Sequence, residues 1–180
     1  ATATDARPLD DDLPPLVAAL EAQGASASPV TWDDPAVDWA SFDVAVIRST
    51  WDYHGRHDEF CAWADAVAAV TVLCNPAPVI RWNTDKRYLA ELAADGIDVV
   101  PTVFLEPGDA VATVDAPEVV VKPAVSAGSR DTARYLLGDD TAAQIEERLD
   151  REHAAEERLR AADAATLLQV LERVERAEHV

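Results

Sequence analysis

The stretch FDVAVIRSTWDYHGRHDEFCAWADAVAAVTVLCNP, residues 42–76, decides the fold. It opens on a β-branched apolar run, 42–50, and passes through the polar and aromatic RSTWDYHGR. It then sets Phe60, Trp63, Ala64 and Val67 at helical spacing over about 58–69. A second β-like run, 70–76, closes at Pro76. Strand, helix and strand in that order predict a parallel pair with the helix laid across one face. Upstream, a helix over about 13–23 stops at Gly24, and SPVTW at 28–32 reads as a further strand. ATAT at 1–4 has the pattern of a strand's tail, so the sheet is expected to have lost an edge. In such a sheet Val44, Val46 and Val72 are expected to be buried. The chain contains no methionine and starts at Ala1, which suggests a processed or trimmed N-terminus.

After Pro76 the pattern changes. NPAPVIRWNTDKRYLAELAADGIDVVPTVFL, 75–105, predicts a proline-punctuated linker, then a helix with Asn83 or Thr84 as its N-cap. Gly96 stops that helix and a strand follows over about 99–105. EVVVKPA, 118–124, is a second strand, and the residues after the next loop open either a third strand or a helix. From 139 onward strong helix formers dominate, with neither proline nor glycine, which predicts helix over most of 141–176. Glu147–Arg151, Glu156–Arg160 and Glu172–Arg176 are i,i+4 pairs in the favourable order. Leu167, Leu171 and Val174 form an apolar stripe for packing on the body or on a second copy of the chain. The expected architecture is α/β. A doubly wound parallel sheet at 1–76 precedes a partial α+β lobe at 77–138 and a helical tail at 139–180.

A formal charge of −19, from 34 acidic against 15 basic residues, excludes a polyanionic partner such as nucleic acid or an anionic membrane surface. No apolar run reaches transmembrane length and no signal-peptide core is present, so a cytoplasmic address is expected. Cys61 and Cys74 lack the spacing of a disulfide framework or a zinc site.

Lys86 and Lys122 are the only lysines, and every other cation is arginine. An ammonium is a compact point charge where a guanidinium is a planar fork, so these two positions invite a common explanation. Lys122 ends a strand shortly before Ser126, Ala127, Gly128, Ser129 and Arg130, whose hydroxyls and glycine suit close approach to a phosphate. The loop matches neither G-x-x-x-x-G-K-[ST] nor G-x-G-x-x-G, so on its own it reads as an ordinary turn rather than a phosphate loop.

Together these pieces resemble the ATP-grasp superfamily. TDKRYLAELAADGIDVVPT resembles that family's lysine at a helix start followed by G-(I/V)-x-V-P-x-T, and VVVKPAVSAGSRDT resembles its strand lysine and the flexible loop over the nucleotide phosphates. The resemblance implies that Lys86 and Lys122 share one ATP, with Ser126, Ala127, Gly128, Ser129 and Arg130 as the loop. The N-terminal stretch around RSTWDY is similar to the α/β domain of the ATP-grasp group that includes O-ureidoserine cyclo-ligase. By that likeness Arg48, Ser49, Thr50, Trp51, Asp52 and Tyr53 form a substrate site, with Arg48 and Thr50 on a carboxylate and Trp51 and Tyr53 as walls. The alternative is that Arg48 pairs with a structural acid and Trp51 packs into the core.

The likeness fades after about residue 137. The family's second lobe carries acidic and asparagine ligands for Mg²⁺, and the helical pattern expected here supplies no equivalent. Two readings follow. One is an ATP-dependent ligase that joins a small-molecule carboxylate to an amine through an acyl-phosphate. The other is a noncatalytic remnant that serves as a binding or oligomerisation module.

Overall fold

The computed structural model describes residues 1–106, 109–110, 116–136, 138, 143–147 and 150, together with the backbone of 166–171. The chain divides into two compact units, Ala1–Thr84 and Asp85–Val180.

In the first unit, β1 (Val44–Val46), α2 (His57–Ala68) and β2 (Val72–Cys74) form the expected strand–helix–strand, preceded by α1 (Leu13–Ala22). The strands pair in parallel, Val44 with Val72 and Val46 with Cys74. Residues 1–3 run beside them. Thr2 N–H donates to Val30 O at 2.8 Å and Trp32 N–H to Thr2 O at 2.9 Å, while Arg48 N–H donates to Ala1 O at 2.9 Å. The expected strand at 28–32 is thereby reduced to one parallel bridge, Thr2 with Thr31.

Trp32, Phe60, Val67 and Leu73 form the core, and Trp32 meets Phe60 edge-on at 5.2 Å between ring centres. The buried strand residues are Ala45 and Leu73. Val44, Val46 and Val72 are instead 48%, 46% and 60% exposed, which corrects the expectation for them. Period-two alternation groups these valines on the opposite face. There α1 buries only Leu13, whereas the α2 face contributes Phe60, Cys61, Ala64 and Val67 to the interior.

The stretch expected as a linker is a helix, α3 (Ala77–Thr84), with Ala77, Ile80 and Thr84 buried. Pro78 lies in its first turn, where a missing N–H costs nothing. Asn83 and Thr84 therefore end a helix where they were expected to start one, and Thr84 Oγ donates back to Ile80 O at 2.8 Å. Because α3 packs on α2, the unit boundary falls after Thr84 and not after Pro76.

The second unit begins with α4 (Tyr88–Ala94), whose stop at Gly96 adopts φ +79°. Its sheet contains β3 (Thr102–Leu105), β4 (Glu118–Pro123), β5 (Ala133–Leu136) and β6 (Thr166–Leu171), in the order β3-β6-β4-β5 with every neighbour antiparallel. Leu105, Val119, Val121 and Ile145 form its core.

Here the helical-tail expectation needs correction. Residues 143–147 are helical, but 166–171 are an inner strand paired on both sides. Helix propensity differs among ordinary residues by under about 0.7 kcal/mol each. TLLQVL, with its threonine and valine, yields to two ladders that pair its whole backbone. The expected pairs Glu147–Arg151, Glu156–Arg160 and Glu172–Arg176 lie outside the described residues.

Candidate functional site

The turn between α3 and α4 carries Lys86, and its backbone is tied to the end of β4, since Lys86 N–H donates to Ala124 O at 3.0 Å. The ammonium then turns into the loop after β4. It donates to Pro123 O and Ala124 O at 3.1 Å, to Ser126 O at 3.3 Å and to Ser126 Oγ at 2.8 Å. Burial, and next the neighbouring Lys122 charge, push Lys86 down to about 8, with Asp85 opposing. Lys122 itself is half-buried on β4, and burial lowers it too. Among the described residues its ammonium has no hydrogen bond or ion pair. The structure thus brings Lys86, Lys122 and Ser126 together.

Beyond Ser126 the loop turns through left-handed backbone, Gly128 at φ +61°, Ser129 at +57° and Asp131 at +54°. Arg130 N–H closes onto Ala127 O at 3.2 Å. Gly128, Ser129 and Arg130 are exposed, and a Cβ on Gly128 would meet nothing within 4 Å. Open space at Gly128 leaves the loop backbone accessible to a ligand.

In the stretch 48–53, Arg48 pairs with an acid of the chain, as the alternative reading had it. Arg48 holds Asp10 through two bonds, Nε to Oδ2 at 2.8 Å and Nη2 to Oδ1 at 2.9 Å, and reaches Asp12 at 3.2 Å. Ser49, at φ +54°, donates its hydroxyl to Asp10 as well. The Arg48 and then the Ser49 hydrogen bond hold Asp10 down to about 2. The guanidinium expected on a substrate carboxylate is therefore engaged by a carboxylate of the chain itself. Thr50 is buried, Asp52 accepts from Trp32 Nε1 at 3.0 Å, and Tyr53 stacks on Phe60 at 5.4 Å as part of the core packing. Trp51, 46% exposed, lines a cleft of about 550 Å³ together with Leu9, Asp10, Asp11, Asp12, Arg48 and Ser49. Asp10 and Asp12 were missed by sequence reasoning, although the acidic run before LPPL was the visible signal.

A family model described as the N-terminal domain of D-cycloserine synthetase DcsG matches residues 1–75. Over 146 residues the chain is 44% identical to the cycloserine biosynthesis protein DcsG of Streptomyces lavendulae, covering 75% of this chain and 49% of that protein. The chain thus spans about half the length of the curated relative it matches. The crystal structure of D-cycloserine synthetase DcsG superposes with a TM-score of 0.81 at 35% identity, over 94% of this chain and 57% of that one. A RimK domain ATP-grasp protein from Sphaerobacter thermophilus shares the fold, at TM-score 0.53 and 19% identity over 87% of this chain and 58% of that one. The chain therefore resembles D-cycloserine synthetase and shares its fold with an ATP-grasp protein, as its motifs suggested.

Among the described residues no group of three or more His, Cys, Asp or Glu side chains is placed to hold a metal ion. No helix among them is long and apolar enough to cross a membrane.

Proposed function

We propose that this chain carries part of an ATP-dependent ligase of the ATP-grasp type, joining a small-molecule carboxylate to an amine through an acyl-phosphate. The observation that carries the reading is Lys122, a half-buried ammonium without a partner among the described residues, whose charge acts on the Lys86 ammonium. Two like charges near one another disfavour their own ionisation unless an anion compensates. A polyphosphate supplies that compensation, and ATP when bound would supply the phosphoryl group that activates the carboxylate. Lys86 would hold the β4–β5 loop and Lys122 would take a phosphate oxygen. Ser126, Ala127, Gly128, Ser129 and Arg130 would close over the phosphates. Positioning and charge neutralisation of this kind dominate phosphoryl transfer.

The 550 Å³ cleft at Arg48 is the proposed substrate site. With Arg48 held by Asp10, the exposed Trp51 and the carboxylates of Asp11 and Asp12 become its accessible features. That arrangement favours an amine-bearing substrate group over a carboxylate at this point. The resemblance to D-cycloserine synthetase supports a small amino-acid-like substrate.

Titration of ATP into the wild type, Lys122→Ala and Arg81→Ala tests the nucleotide part. Arg81 is an exposed control paired with Asp65. Saturable binding that Lys122→Ala weakens at least about tenfold and Arg81→Ala leaves unchanged is expected. Equal affinities for all three proteins would overturn the assignment of Lys122.

A further inference from the structure

We infer that the Lys86 ammonium fills a cage suited to a large monovalent cation, that it positions the β4–β5 loop from there, and that NH₄⁺ or K⁺ takes its place once the side chain is removed. Three backbone carbonyls and one hydroxyl converge on its nitrogen, Pro123 O and Ala124 O at 3.1 Å, Ser126 O at 3.3 Å and Ser126 Oγ at 2.8 Å. All four oxygens come from residues 123–126, so the chain wraps the cation as it leaves β4. Ser126 Oγ also donates to Pro123 O at 3.4 Å, which closes the wrap on itself. The Lys86 N–H donates to Ala124 O at 3.0 Å, so the side chain starts from the wall of the cage it fills.

The oxygens decide what the cage accepts. An ammonium carries three N–H groups and meets four acceptors here, so its compact charge is coordinated as well as its protons. Oxygens at 2.8–3.3 Å stand too far out for Mg²⁺, at about 2.0–2.1 Å, or Ca²⁺, at about 2.3–2.6 Å. None of the four belongs to a carboxylate, the ligand both divalent ions favour. Backbone carbonyls in place of a hydration shell are instead how proteins hold K⁺. A guanidinium fits poorly, because its donors lie in one plane.

Carbonyl dipoles aimed at one point repel one another unless a positive charge sits between them. Ala124 is 1% exposed, which limits what water can do for its carbonyl when that charge is lost. The turn that follows depends on the cage for its starting point. Gly128, Ser129 and Asp131 adopt left-handed backbone, while Arg130 N–H and Thr132 N–H are hydrogen-bonded inside the loop, to Ala127 O at 3.2 Å and Ser129 O at 3.3 Å. Lys86 is therefore a positioning residue whose role goes beyond the nucleotide reading, because it shapes the loop whatever the loop binds.

Lys86→Ala in the full chain vacates the cage. Amide hydrogen exchange at Arg130 and Thr132 is then followed at pH 7 in the chlorides of NH₄⁺, K⁺ and tetramethylammonium, each at about 0.2 M so that screening is equal. In Lys86→Ala both amides are expected to exchange at least about fivefold more slowly in NH₄⁺ or K⁺ than in tetramethylammonium, which is too large to enter. The wild type, whose cage is filled, and Lys86→Met, whose uncharged chain occupies the same space, should not distinguish the salts. Equal rates in all three salts for Lys86→Ala, or the same response in Lys86→Met, would overturn the inference. Should Lys86→Ala leave the second unit unfolded, amide protection in β4 and β5 becomes the reading: NH₄⁺ or K⁺ is expected to restore it, and failure of both overturns the inference. No nucleotide enters the experiment, so its result stands apart from that of the ATP titration.

Discussion

If Lys86 serves the proposed nucleotide site, it should make the affinity for ATP depend on pH in a range where most proteins are indifferent to it. Its ammonium is held down from 10.5 to about 8, by burial first and by Lys122 second. It is therefore about three-quarters protonated at pH 7.5 and about one-thirtieth protonated at pH 9.5. An anion placed against both lysines favours the charged form, so binding takes up a proton above pH 8. With the bound form protonated throughout, the affinity is expected to fall about 25-fold between pH 7.5 and 9.5. The terminal phosphate is already ionised over that interval and adds nothing to the slope. For the free protein the sign is opposite. The folded pKa lies below the unfolded one, so the unfolded chain binds more protons between about 8 and 10.5, and stability rises with pH across that window. Calorimetric titrations in two buffers of different ionisation enthalpy would count the protons directly. Lys86→Arg, whose charge persists throughout, should flatten the profile. An affinity independent of pH in the wild type, or an unchanged slope in Lys86→Arg, would refute the reasoning.

Further outcomes follow from other parts of the chain. Arg48→Gln should raise the Asp10 carboxyl from about 2 toward the ordinary carboxylate range, as read by NMR titration. Since that pKa is lowered by folding, the stabilisation is present above about pH 4 and disappears as pH falls through about 2, so the variant should lose the wild type's acid resistance in that interval. Phe60→Ala removes a ring that is 1% exposed and should cost the first unit about 3–5 kcal/mol in denaturant unfolding, where a loss below about 1 kcal/mol would contradict the core assignment. Leu168→Pro on β6 removes a ladder donor from a strand paired on both sides, and should abolish slow amide exchange in β4 while leaving β1 and β2 protected.

The strand–helix–strand of 42–76 was legible because three short-range signals agreed: β-branched runs, a helical stripe ending at Val67, and a closing proline. The buried face was not. Val44, Val46 and Val72 are better strand formers than Ala45, yet alternation alone does not say which face the helices cover. Residues 77–84 were misread because Pro78 was taken as a break, although proline is at ease in a helix's first turn. β6 was invisible because its partners lie far away in sequence, and only pairing with β3 and β4 selects strand over helix. At the site, spacing and residue type pointed to Lys86 and Lys122. What could not be read was that Lys86 would spend its donors on the Pro123–Ser126 carbonyls and hydroxyl, or that Asp10 would claim Arg48. Both depend on contacts between residues about forty positions apart.

The chain's having only two lysines makes the central claim directly observable. With ¹³C-labelled lysine, the two side-chain Cε signals can be followed without overlap as ATP is added at pH 7.5. The shared-nucleotide account predicts that both signals move along one saturation curve with a single dissociation constant. Movement of one lysine alone, or of neither at saturating ATP, would contradict it.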